Sequence, residues 1–172
     1  MINQIFQNIV RFIFLVLLQG IILNQVELFG FASPYLYVLV ILLLPIEVNP
    51  IGVLGIGFLL GLSVDLFSQS WGIHTSASVF LAFVRHYTLR ILAPRDGYVF
   101  GVTPNLSQMG ISWFVTYAFV LTFLHHFFLF FIEAFRFEEF LFTLVRIILS
   151  TVFTFVLIIL SQLLTYSKKR SQ

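Results

Sequence analysis

The sequence predicts an all-α polytopic membrane protein of six transmembrane helices, forming one domain over residues 1–172. Two observations lead there. Of the 172 residues, 60% are hydrophobic and 9% are charged, against roughly 25% charged in an average soluble domain, and the mean hydropathy is +1.06. The apolar residues also gather in runs close to the roughly 20 residues that a helix needs to cross a bilayer. Phenylalanine occurs 23 times, and a soluble domain of this size would have to expose many of those rings to water.

The first run covers about 5–26. Its amino-terminal part holds only Arg11 beside Gln4, Gln7 and Asn8, too little positive charge for a secretory signal, so it reads as an uncleaved helix. The second, about 34–47, is short. Pro45, Asn49 and Pro50 separate it from the third, about 51–67, and make a tight turn, so these two should form an antiparallel hairpin. The fourth covers about 73–92. A loop over 93–110 follows, rich in turn formers: Pro94, Asp96, Gly97, Gly101, Pro104 and Asn105. The fifth and sixth cover about 111–132 and 140–166.

Orientation follows from the basic residues, which concentrate on cytoplasmic flanks. Lys168, Lys169 and Arg170 close the chain, and Arg90 and Arg95 flank the loop after the fourth helix. Six crossings put both clusters on one side, with both termini cytoplasmic. The opposite loops carry Glu27 and the group Glu133, Arg136, Glu138 and Glu139, an acidic balance that suits an external face.

Several function classes fall away. Cysteine is absent, which removes disulfides, thiolate metal sites and cysteine nucleophiles. The net charge of +2 forms no basic stripe for nucleic acid. There is no HExxH, GxSxG or phosphate-binding loop, so neither a catalytic residue nor a cofactor is expected, and the chain reads as non-enzymatic. The adjacent His125 and His126 point in different directions on a helix, unlike the i, i+4 pair of a helical metal site. No metal is expected; hydrogen bonds to neighbouring helices are.

The third run carries the most information. Gly52, Gly55, Gly57 and Gly61 lie within ten residues. At about 100° per residue, Gly57, Gly61 and Asp65 fall near one stripe, while Gly52 and Gly55 lie on adjoining faces. Spacing of the GxxxG kind lets another backbone come close. Such pairs also arise in generic helix packing, but Asp65 adds an ionisable group inside an apolar segment, a costly placement that points to a specific task. Asp65 stands near the external end of its helix, where a milder role is to cap the turn toward Gly72 and His74.

The pattern of a proline turn, a glycine-rich helix ending in Gly-Leu-x-x-Asp-Leu, a Ser-containing turn and then Gly before a new apolar helix is carried by Pro50, Gly57, Gly61, Leu62, Asp65, Leu66, Ser68 and Gly72. It resembles the central motif of the bacterial rod shape-determining family MreD, from which Asn49 and Gln69 depart. The resemblance implies an inner-membrane scaffold of the elongasome, the machine that adds peptidoglycan along the side wall. It implies MreC as partner and, indirectly, MreB, RodA and a class B penicillin-binding protein. It also implies a fold similar to the substrate-binding subunits of energy-coupling-factor transporters. The alternative is therefore a subunit that binds a small, vitamin-type molecule, with a pocket at Asp65, Trp71, His74 or Trp113.

Two further cations need a reading. Arg85, with Arg90, is expected to snorkel to the cytoplasmic headgroups. Arg146, in the external half of the sixth helix, is expected to pair with Glu133 or Glu139, or to meet Asp65.

Overall fold

The computed structural model describes residues 2–27, 30–134 and 140–170, with side chains over 4–27, 30–134 and 140–166. The described chain is helical, in the order α1 (Ile2–Ile21), a 3-10 turn (Leu23–Gln25), a second 3-10 turn (Leu36–Val38), α2 (Leu39–Leu42), α3 (Pro50–Ser68), α4 (Ile73–Ile91), α5 (Leu106–Met109), α6 (Ile111–Ala134) and α7 (Phe140–Arg170). Arg136, Glu138 and Glu139, expected on the external loop, lie outside the described residues.

Among the described residues, four segments are long and apolar enough to cross a membrane: Gln4–Gln25, Pro50–Ser68, Ile111–Ala134 and Phe140–Tyr166. At 1.5 Å per residue the 19-residue α3 is about 28 Å long, close to the roughly 30 Å hydrocarbon core of a bilayer. Large apolar side chains cover the outer faces; Phe6, Leu59 and Leu141 are 67%, 57% and 77% exposed. The 19-residue α4 matches α3 in length but carries Arg85, His86 and Arg90, which make it more polar.

The second apolar run departs from expectation. Instead of a helix over 34–47, it forms the 3-10 turn and the single turn of α2, and every residue from Pro34 to Leu44 is buried. A segment apolar on every side is stable where protein surrounds it. Its broken backbone is satisfied by other elements. Ser33 and Tyr35 N–H donate to Ser150 Oγ (3.2 Å) and Thr154 Oγ1 (2.9 Å) of α7. At the far end, Leu42 O accepts from Tyr117 Oη at 3.0 Å and Leu44 O from Arg85 Nη2 at 2.5 Å. Irregular backbone at membrane depth persists where side chains replace the missing helical bonds, and Pro45, without an N–H to donate, ends the segment at its carboxyl boundary.

Contacts at the two ends set the helix directions. At one end, Asn24 Nδ2, just after α1, donates to Ser68 Oγ at the end of α3 (2.9 Å), and Arg146 Nε, early in α7, donates to Phe31 O (3.1 Å). At the other end, Ile46 N–H donates to Val102 O (3.2 Å), Glu47 Oε1 accepts from Gly101 N–H, and Trp113 Nε1 donates to Leu92 O (2.8 Å). The core lies between, filled by residues such as Ile41, Leu60, Leu81, Leu121 and Ile158, all fully buried.

Candidate functional site

The glycine and aspartate residues of α3 build a clasp with α4. Asn49 begins it: its Oδ1 accepts from Ile51 N–H at 3.0 Å, with Pro50 in the first turn, where its missing N–H costs nothing. The buried residues of α3 are Val53, Gly57, Leu60, Gly61, Val64 and Asp65, a single helical stripe. A Cβ on Gly57 would stand 2.9 Å from Ser78 O and 3.1 Å from the Ala82 Cβ. One on Gly61 would strike Thr75 Cα and stand 2.5 Å from His74 O. Glycine is therefore required by the approach of α4, whose residues at the contact, Ser78 and Ala82, are small as well. The small pair Ser78 and Ala82 repeats the i, i+4 spacing and completes the clasp from the α4 side.

Asp65 closes it. Oδ1 accepts from Ser70 Oγ at 2.6 Å and His74 N–H at 3.0 Å; Oδ2 accepts from Thr75 N–H at 2.9 Å and Thr75 Oγ1 at 2.5 Å. His74 and Thr75 are the second and third residues of α4, whose N-cap, Gly72, has no side chain to satisfy these orphan donors. Asp65 supplies the cap from the neighbouring helix, with a charge that suits the positive end of the α4 dipole. Burying a carboxylate is costly unless hydrogen bonds satisfy it, and Asp65 accepts two on each oxygen. The turn between needs left-handed backbone at Gln69 (φ 53°) and Gly72 (φ 85°). Glycine adopts that conformation freely.

The remaining candidates scatter. Gly52 and Gly55 face outward, with nothing within 4 Å of a Cβ on Gly55. Trp71 is fully exposed. Trp113 stacks on Tyr117 (4.8 Å between centroids) and, with Tyr98 Oη on Leu89 O (2.7 Å), ties down the carboxyl end of α4. Of the pocket candidates, Asp65 and Trp71 line one surface cavity of about 580 Å³ and His74 another, while Trp113 lines neither. Arg85 does not snorkel: it is 2% exposed, and its Nε donates to Tyr117 Oη at 3.0 Å while Nη2 caps the carboxyl end of the α2 segment. Arg146 pairs with Glu133 at 3.1 Å and lies 4.5 Å from the Phe130 ring centre. It does not meet Asp65, whose oxygens α4 and Ser70 already occupy.

A buried polar chain went unread in the sequence. Tyr37 Oη lies 3.0 Å from His74 Nδ1 and 2.9 Å from His125 Nε2. His126 bonds Thr122 O at 2.7 Å and Thr154 Oγ1 at 3.0 Å, so the two histidines do serve different neighbours. Tyr37 sits in an apolar run with no local sign of a partner, and only tertiary packing brings α4 and α6 to it. Near the same end, a cavity of about 440 Å³ is bounded by Asn24, Tyr35, His74, Glu133 and Arg146. Among the described residues, no group of three or more His, Cys, Asp or Glu side chains is placed to hold a metal ion. Comparison with protein-family models, curated proteins and solved structures gives no match to this chain.

Proposed function

We propose that the chain is an MreD-like, non-enzymatic scaffold of the inner membrane that binds MreC and supports side-wall peptidoglycan synthesis. One observation carries the reading: Pro50, Gly57, Gly61, Asp65 and Gly72, among the residues behind the resemblance, build one α3–α4 unit, while α3 leaves Gly52 and Gly55 open on another face. The clasp fixes α3. The open glycines, beside the exposed Ile51, Phe58 and Leu59, present no side chain to hold off a single transmembrane helix. In this reading α1, the buried second segment, α3, α4, α6 and α7 carry the chain across six times, with both termini cytoplasmic. MreB, RodA and a class B penicillin-binding protein are reached through MreC.

Co-purification tests it. The wild-type chain should retain MreC, and Gly55→Leu should lose it with the chain's own thermal midpoint unchanged. Absence of MreC from the wild-type preparation would overturn the reading, and equal retention by Gly55→Leu would overturn the contact face.

The polar cavity beside Glu133 and Arg146 favours a second reading, a substrate-binding subunit of a small-molecule transporter. A metabolite released on denaturing the purified chain, and lost in Arg146→Gln, would support it.

A further inference from the structure

A second site lies at the opposite end, in a cleft of about 250 Å³ between α1 and α7. These two helices make little direct contact, and the buried segment forms the floor between them through Leu36, Leu39 and Leu43. Arg11 projects from the α1 wall. It stands seven residues inside the first candidate span, about 10 Å along the helix, where an unpaired charge is costly. Its protein partners are neutral: Nη1 donates to Asn8 Oδ1 at 2.8 Å and to Leu43 O at 3.4 Å. Among the described residues, Nε and Nη2 have no hydrogen-bond partner, and no carboxylate pairs with Arg11 or lines the cleft.

Gln162 adds an amide from the opposite wall: it lines the same cleft from α7 and is 7% exposed. Ser107 adds a hydroxyl to the rim. Guanidinium, amide and hydroxyl donors together match a phosphate oxyanion, and the leucine floor with Phe14, 60% exposed at the lip, matches an acyl chain. A zwitterionic headgroup would bring a cation to a cleft that offers it no carboxylate. The helix bearing Gln162 also runs on to Lys168, Lys169 and Arg170, which draws this end toward an anionic leaflet.

We infer that the cleft between α1 and α7 binds the phosphate headgroup of an anionic phospholipid, with Arg11 and Gln162 as its recognition residues. The inference does not depend on the MreD-like reading. The test starts from the full chain purified in mild detergent and stripped of lipid. Phosphatidylglycerol should raise the thermal midpoint and stay bound in native mass spectrometry; phosphatidylcholine and inorganic phosphate should do neither. Arg11→Gln and Gln162→Leu should each reduce bound phosphatidylglycerol several-fold, while Arg11→Lys keeps most of it. Equal retention by Gln162→Leu and wild type would overturn the assignment. So would equal stabilisation by phosphatidylcholine, a response to inorganic phosphate alone, or a co-purifying polypeptide that displaces the lipid.

Discussion

Asp65 accepts two backbone N–H groups and two hydroxyls, so Asp65→Ala leaves the amino end of α4 without its cap. Loss of a cap costs about 0.5–2 kcal/mol, and two buried donors left unpaired push toward the upper end. The thermal midpoint in detergent should fall clearly for Asp65→Ala and less for Asp65→Asn, which keeps one acceptor oxygen. The glycines divide by contact. Gly61→Ala drives a methyl into the backbone of α4 and should destabilise strongly. Gly55→Ala meets open space and should be neutral or stabilising by up to about 1 kcal/mol through helix propensity; thermal melts of the two variants check the contrast. The sequence made this stripe legible, because Gly57, Gly61 and Asp65 recur at helical spacing and an aspartate among apolar residues is conspicuous. It did not show Gly20, whose Cβ would strike the Phe67 ring. One glycine with no small neighbour at four residues gives no pattern.

At the scale of elements, the buried second segment depends on side chains from its neighbours. Arg85 and Tyr117 hold its carboxyl end, and Ser150 and Thr154 hold its amino end. Removing Arg85 by Arg85→Leu strands Leu44 O in the core, a loss of about 1–3 kcal/mol. Amide exchange over residues 39–44 should quicken in this variant, while the middle of α3 stays protected; unchanged exchange at 39–44 would contradict the capping role. This segment was the least legible element. An apolar run reads the same whether lipid or protein surrounds it, and its partners come from α4, α6 and α7, far away in sequence. On α6, by contrast, Phe119, Phe123 and Phe127 lie outward at four-residue spacing, 46%, 37% and 42% exposed, as their helical register predicts for a lipid-facing row.

The whole molecule places apolar side chains outward and much of its polarity inward: Gln19, Ser78, His125, His126, Ser150 and Thr154 are fully buried while Ile5, Phe14 and Leu164 are more than half exposed. Composition made that inversion predictable, because so apolar a chain is stable only with lipid around it. Which end faces which side rests on the basic residues. The absence of cysteine allows a direct check on an unmodified background: single cysteines replacing the exposed Trp71 and Arg95 should label from opposite sides of intact cells, Trp71→Cys from outside. A scaffold for wall growth is tested by depleting the chain in the organism that encodes it and scoring cell shape in rich and minimal media. Rods should widen and round in both media with no nutrient restoring them; rods of unchanged width, or rounding reversed by a single metabolite, would contradict a scaffold role.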